Sequence, residues 1–163
     1  MDSRWMGSRM QLLTGKYNAK FDDKGRLSLP ARLRTAMAAE QVVVLPGLEG
    51  NHLMVMSQDY FEKEFSGPIL SSPMAVLDKK KRDFLRILLG SACDLPIDGA
   101  GRINIPLSVR APFKLPNKGE VVIRGLGHYL ELWNPDVLAK EEAEAPSLAA
   151  LAQEVYKDGA NGD

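Results

Sequence analysis

Asp22-Asp23-Lys24-Gly25-Arg26-Leu27-Ser28-Leu29-Pro30 returns 76 positions later as Asp98-Gly99-Ala100-Gly101-Arg102-Ile103-Asn104-Ile105-Pro106. Over residues 21–34 and 97–110, five of fourteen positions are identical: Asp, Gly, Arg, Pro and a second Arg. Four more are apolar in both copies: Phe21/Ile97, Leu27/Ile103, Leu29/Ile105 and Leu33/Val109. The likeness resumes where Gly47–Asp59 matches Gly125–Asp136. Each half reads as strand, Asp-x-x-Gly-Arg turn, strand, Pro, short helix, strand, Gly-rich turn, strand and helix start. A unit of about 45 residues is small for an independent core, so the halves are expected to fold against one another as one body.

The local signals fill in this frame. Lys16–Phe21 alternates polar and apolar, as a half-buried strand does. Asp22–Gly25 is turn chemistry, and Leu27-Ser28-Leu29 alternates again, which predicts a hairpin with a loop of three or four residues. Pro30 opens a helix over 31–38. Val42–Leu45 is a short, β-branched apolar run and predicts a buried strand, and Leu53–Met56 predicts the next. Ser57 caps a helix through Phe65. Ser66–Pro73, with two prolines, a glycine and three serines, reads as the linker between halves. An amphipathic helix over Asp78–Gly90 follows, with Lys79–Arg82 at its entry. Asn134-Pro135-Asp136 starts a helix that Pro146 interrupts and Ser147 restarts, and residues 160–163 are expected to be disordered. The units are thus an N-terminal arm at 1–15, a first repeat at 16–61, a linker with amphipathic helix at 62–91, a second repeat at 92–138, and a C-terminal helix and tail at 139–163.

Composition excludes several classes. No apolar run approaches the ~18 residues of a membrane span, and Met1–Arg9 carries two arginines but no apolar core of signal-peptide length. That start reads either as a basic arm or as an upstream initiation site. A single cysteine, Cys93, allows no intramolecular disulfide and fits a reducing compartment, so a cytoplasmic protein is expected. The net charge is zero but unevenly spread: residues 1–34 carry a net +5 and residues 136–163 a net −5. Such a polar molecule can turn a basic face to phosphates despite its neutral sum, or carry two solvated faces of opposite sign.

The repeated turn has two readings. In one, Asp22 and Asp98 cap their own turns while Arg26 and Arg102 pair with them. In the other, exposed turns with Lys24, Arg26, Arg32 and Arg34 nearby lay cations on phosphates, and a β-ribbon enters the major groove, where Arg suits guanine. Enzymatic readings have less support. His52 and His128 occupy matching turns, but no HxxxH, HxH or CxxC spacing accompanies them, so they read as surface or hydrogen-bonding residues. Cys93 reads as structural, and Gly125-Leu126-Gly127 lacks the third glycine of a dinucleotide loop. No catalytic residue, cofactor, metal or small-molecule substrate is assigned.

Gly15-Lys16-Tyr17, the first Asp-x-x-Gly-Arg turn and Pro30-Ala31-Arg32-Leu33-Arg34 resemble the first half of the MraZ family of bacterial transcriptional regulators. Asp98–Arg102 and Leu130-Glu131-Leu132-Trp133 resemble its second half, and the match covers about residues 10–145. The resemblance implies an α+β fold: two SpoVT-AbrB domains in one chain, forming a pseudo-twofold, duplicated swapped-hairpin β-barrel with short helices around it. It also implies a homo-oligomeric ring that binds G-rich direct repeats in the promoter of the cell-division and cell-wall gene cluster, its own operon included, and so a nucleoid-associated protein. Several copies would then set many basic turns against several repeats in double-stranded DNA, and weak contacts would add through effective concentration. Carried over residue by residue, the DNA-binding set is Asp22, Lys24, Arg26, Arg32, Arg34, Asp98 and Arg102. The copies differ within it: Asp23-Lys24 stands against Gly99-Ala100, and Arg32 against Ser108. The first half is therefore expected to contribute more to phosphate binding and the second more to assembly. The alternative is an AbrB-like antitoxin or protein-interaction module working through the C-terminal helical segment.

Overall fold

The structure is a computed structural model that describes residues 11–161. The arm's first ten residues and the last two residues of the tail lie outside that range. Eight strands form the frame: β1 Lys16–Lys20, β2 Arg26–Ser28, β3 Gln41–Pro46, β4 Leu53–Ser57, β5 Cys93–Pro96, β6 Arg102–Asn104, β7 Glu120–Gly125 and β8 Leu130–Trp133. All pairings are antiparallel. Six strands make one sheet in the order β1-β7-β8-β4-β3-β5, and β2 pairs with β6 in a separate ribbon.

That order reads the same from either end once the halves are exchanged. Each half contributes a β3–β4 or β7–β8 hairpin, the two hairpins meet at β4–β8, and each half's first strand lies on the other half's third strand. The duplicated sequence therefore builds a pseudo-twofold body in which neither half completes its own sheet.

Two sequence expectations change here. Residues 16–21 and 26–29 do not form a hairpin. β1 spends its ladder on β7 over five register pairs, from Lys16↔Arg124 to Lys20↔Glu120, and β2 pairs only with β6. Alternation reports that a strand is half-buried but not which strand it joins, and burial in a shared core decides the partner. Nor do the described strands close into a barrel: β1 and β5 remain the edges of the large sheet, because the turns at Asp22 and Asp98 lead the chain away into the three-residue ribbon.

The interior face of the sheet and the inner face of the ribbon enclose the main core. Leu27 and Ile103 face each other across the ribbon, both fully buried, and Leu29, Leu33, Ile105, Leu115, Val121 and Ile123 pack around them. Burying one such side chain stabilises the fold by about 1.5–3 kcal/mol. β3 and β4 are buried on both faces: Val42 and Val44 belong to the main core, while Val43, Leu45, Met54 and Met56 meet Leu88 from the helices outside. This explains their continuous apolar run. On the outer face of β7–β8, Val122 and Trp133 meet Leu138 of a C-terminal helix.

Helices fill the connections: α1 Ala31–Met37, α2 Gln58–Tyr60, α3 Ser66–Leu70, α4 Met74–Leu77, α5 Lys79–Leu88, α6 Leu107–Arg110, α7 Pro135–Glu144 and α8 Leu148–Asn161. Ser57 caps α2 by accepting the Tyr60 amide at 3.1 Å, and Asn134 caps α7 by accepting those of Asp136 and Val137 at 2.8 and 3.1 Å. The expected linker is partly helical. A π-turn at Phe61–Phe65 joins α2 to α3, and the Ser66 hydroxyl donates to the Phe61 carbonyl at 2.7 Å. Pro68 is tolerated because the i→i+4 ladder is already interrupted there. Residues 160 and 161 are helical within α8 rather than disordered. No helix among the described residues is long and apolar enough to cross a membrane.

Candidate nucleic-acid interface

Each repeated turn is built by its aspartate. Asp22 Oδ1 accepts the amides of Lys24 and Arg26 at 2.9 and 2.8 Å, and its Oδ2 accepts Arg26 Nε at 2.6 Å. Asp98 repeats the pattern with the amides of Ala100 and Arg102, both at 2.9 Å, and with Arg102 Nε at 3.0 Å. Gly25 and Gly101 take φ of 81° and 80°, where a side chain would be strained. The backbone amide of Arg26 and then its side chain hold the Asp22 carboxyl down at about 2, and the same bonds from Arg102 lower Asp98. Both aspartates therefore stay charged across the physiological range, and both arginines are oriented in advance.

The capping reading of the turn is thus realised in both copies, and it does not use up the arginines. Each ion pair is about one-third exposed, and the bond is made by Nε. Among the described residues, the Nη groups of Arg26 and Arg102 have no hydrogen-bond partner.

The ribbon brings the two turns together. Arg26 stands opposite Asn104, and Ser28 opposite Arg102. With Leu27 and Ile103 turned inward, the alternation of a strand puts Arg26, Ser28, Arg102 and Asn104 on the outer face. Two arginines thus sit diagonally on a short, solvent-facing antiparallel ribbon, with a hydroxyl and an amide between them.

The ends of the ribbon differ in charge. Within the turns the exposed Lys24, where the second has Ala100, is offset by the exposed Asp23, where the second has Gly99, so the difference lies in the neighbours. Arg32 is exposed on α1, which follows Leu29 beside the second turn, and donates to Tyr17 Oη and Thr14 Oγ1 at 3.1 and 3.2 Å; its counterpart Ser108 lies on α6, whose Arg110 is under the first turn. The fold adds a cation that the repeat did not reveal. The Lys118 amide donates to the Asp22 carbonyl at 3.2 Å, which places an exposed lysine beside the first turn. At the second turn the neighbour is Glu40, whose carbonyl accepts the Ile97 amide at 2.9 Å. Lys118 lies in Pro116-Asn117-Lys118-Gly119, a turn signal whose partner only the tertiary fold supplies.

Arg34 is placed differently from the rest of the predicted set. It is half-buried, and a Cβ on Gly101 would overlap its guanidinium. Its repeat counterpart, Arg110, is fully buried beneath Gly25. Neither lies on the ribbon's outer face.

The histidines and the cysteine fall outside this surface. His52 is buried, stacks on Trp133 with ring centroids 4.2 Å apart, and bonds Glu131 through Nε2 at 2.9 Å. Glu131 also accepts Trp133 Nε1 at 2.9 Å. Burial pushes the Glu131 carboxyl up, but the bonds from His52 and Trp133 outweigh it and hold the group below its ordinary value. His128 is exposed and stacks on Tyr60. Burial raises the Cys93 thiol in β5.

Comparison with known proteins decides the family. The family described as "MraZ protein, putative antitoxin-like" matches residues 12–86 and again 88–156. The chain belongs to the MraZ family. A Transcriptional regulator MraZ of Roseiflexus castenholzii is 33% identical over 148 residues, covering 88% of this chain and 99% of the relative. One from a Nocardioides species is 39% identical over 121 residues, 74% of this chain and 79% of the relative. One from Limosilactobacillus reuteri is 33% identical over 151 residues, 90% of this chain and 99% of the relative. The solution structure of PHS018 from Pyrococcus horikoshii covers 74% of this chain and 96% of its own, at 16% identity and a TM-score of 0.33. The two MraZ matches meet between residues 86 and 88, inside α5, so the family boundary coincides with the end of the first half's helical extension.

Proposed function

We propose that the protein is a sequence-specific, DNA-binding transcriptional regulator that reads promoter DNA with the outer face of the β2–β6 ribbon. The observation that carries this reading is the pair of pre-oriented arginines, Arg26 and Arg102, diagonal on one exposed two-stranded ribbon. A ribbon of this kind fits the major groove, Arg can bond guanine O6 and N7 in bidentate fashion, and Ser28 and Asn104 suit neighbouring edges or phosphates. Lys24 and Lys118 at the first turn and Arg32 on α1, beside the second turn, supply the phosphate contacts, two of the three coming from the first half. Asp22 and Asp98 shape the turns, and Arg34 acts from beneath. The interleaved strand order supports the swapped pairing of two SpoVT-AbrB units within one chain. The targets proposed are G-rich direct repeats upstream of the chain's own cell-division and cell-wall gene cluster, reached in the cytoplasm at the nucleoid.

A ring would present several ribbons at once. Support for assembly comes from two complementary faces. α8 exposes Leu148, Leu151 and Val155 at helical spacing, with Glu144 and Glu154 nearby. The α4–α5 segment exposes Leu77, Phe84 and Ile87 among Lys80, Lys81 and Arg86. Two unlike faces that complement each other make a head-to-tail contact, which closes into a ring when the rotation allows.

The test is footprinting of the protein on its own upstream region at 50 and 200 mM salt, concentrations chosen for the experiment. Protection is expected at evenly spaced G-rich repeats, with affinity falling on the order of 10³-fold or more across that range if six or more phosphates are contacted. Absence of protection, or affinity indifferent to salt, would refute the reading.

A further inference from the structure

The last identity in the repeated segment, Arg34 and Arg110, forms a crosswise pair. Arg110 closes the second half's short helix α6 but sits under the first half's turn. A Cβ on Gly25 would come within 2.5 Å of Arg110 Nη2 and 3.3 Å of its Cζ, so only glycine leaves room for the guanidinium there. Beneath lies the Phe21 ring, whose centroid is 4.8 Å from Cζ. Nε donates to the Ile105 carbonyl at 2.8 Å, Nη1 to the Leu115 carbonyl at 2.7 Å and Nη2 to Asn117 Oδ1 at 2.6 Å. Asn117 precedes Lys118, whose amide holds the Asp22 carbonyl. One buried arginine therefore joins Phe21, Gly25 and, through the 115–118 turn, Asp22. Arg34 of the first half's helix α1 takes the matching place under Gly101 of the second half's turn. Its grip is weaker: Arg34 Nε is buried with no partner among the described residues.

We propose that Arg110 and Arg34 are positioning residues, each fixing the DNA-facing turn of the opposite half, Arg110 that of Arg26 and Arg34 that of Arg102. This rests on the ribbon reading of DNA given above. It deepens that reading in two ways. The two turns are coupled through the shared interior, so the spacing of Arg26 and Arg102 is fixed by the fold. The better-bonded anchor also lies under the more basic turn. Lysine cannot replace Arg110, because a single ammonium cannot hold three divergent acceptors, and at position 34 it lacks the planar guanidinium that packs under Gly101.

The experiment has two arms. In the free protein, hydrogen exchange is followed at the amides of Lys24 and Arg26 and of Ala100 and Arg102, which are bonded to Asp22 and Asp98. Arg110→Lys is expected to speed exchange at Lys24 and Arg26 and leave Ala100 and Arg102 unchanged, and Arg34→Lys to do the reverse. Asn117→Ala removes one acceptor from an exposed position and is expected to give a smaller change of the same pattern as Arg110→Lys, which keeps the test intact should that variant fold poorly. In the second arm, affinity for the upstream duplex is measured in a double-mutant cycle. Arg110→Lys (or Asn117→Ala) should weaken binding about fivefold or more in the parent and in Arg102→Ala, but by less than about twofold once Arg26 is already alanine, since groups acting through one another are not additive. Equal exchange at both turns, or the same loss in both backgrounds, would overturn the proposal, because a residue that merely holds the core together would act alike on both. If the parent binds no duplex, the ribbon reading fails, and the exchange pattern alone decides whether the crosswise anchoring stands.

Discussion

Lys24→Ala/Arg26→Ala is expected to weaken binding to the upstream repeats by about 100-fold at moderate salt. Loss of one bidentate arginine costs about 1–3 kcal/mol, and loss of the nearby lysine removes a phosphate contact. The slope of log affinity against log salt should fall by about one to two, since each neutralised phosphate contributes about 0.9. Arg102→Ala is expected to cost less, about tenfold, because it removes one cation where the double variant removes two, and its turn neighbours Glu40 where the first has Lys118. Filter binding or anisotropy titration at several salt concentrations checks both. Equal losses from the two variants would contradict the asymmetry. Both variants should melt with the parent, because exposed ion pairs like Arg26–Asp22 contribute little to stability.

Glu131→Ala should do the opposite: it should leave the ribbon intact and destabilise the fold by about 2–5 kcal/mol. Glu131 is 8% exposed and bonds two groups at once, the Nε2 of His52 and the Nε1 of Trp133. Removing it leaves both donors buried and unpaired, at about 1–3 kcal/mol each. The site also joins the halves, since His52 enters β4 and Glu131 lies on β8 at the centre of the sheet. For a chain of this length the melting temperature should drop by about 5–15 °C. Glu131→Gln, which keeps an acceptor for one donor, should lose less. The parent's pH dependence follows from the lowered Glu131 value. A carboxyl held below its ordinary value of 4.5 stabilises fully above that pH, and the contribution is lost as pH falls below 4.5 through the depressed value. Thermal melts between pH 3 and 7, a range set by the experimenter, should therefore show the alanine variant converging on the parent at the acid end. A constant gap would assign the loss to packing on His52 and Trp133 instead.

Much of this was legible in the chain. The repeat predicted duplicated units, and the apolar runs at 42–45 and 53–56 identified two central segments that are buried on both faces. Ser57 and Asn134 marked helix starts because a side-chain cap is a local event. Pairing was not legible: the alternation of 16–21 and 27–29 suits a hairpin and an exchange between halves equally, and only the shared burial of Leu27 and Ile103 selects the exchange. At the site, Asp22, Arg26, Asp98 and Arg102 were readable because the turn chemistry sits within five residues. Arg34 was grouped with the exposed cations since its neighbours Lys24 and Arg32 are exposed, yet its helix turns it under Gly101. Arg110 and Lys118 were missed, because their partners, Gly25 and Asp22, are more than eighty positions away. His52 stood in a turn by sequence but is buried, since its partner strand arrives from the other half.

The central claim is that the outer face of the β2–β6 ribbon contacts DNA, and α5, with Lys79, Lys80, Lys81, Arg82 and Arg86, is the strongest rival basic surface. A photocrosslinking residue placed at Ser28, or in parallel at Lys81, and irradiated on the upstream duplex separates the two. Crosslinks from position 28 to bases within the repeats, with few from position 81, are the predicted result. Efficient crosslinking from position 81 with none from position 28 would contradict the account.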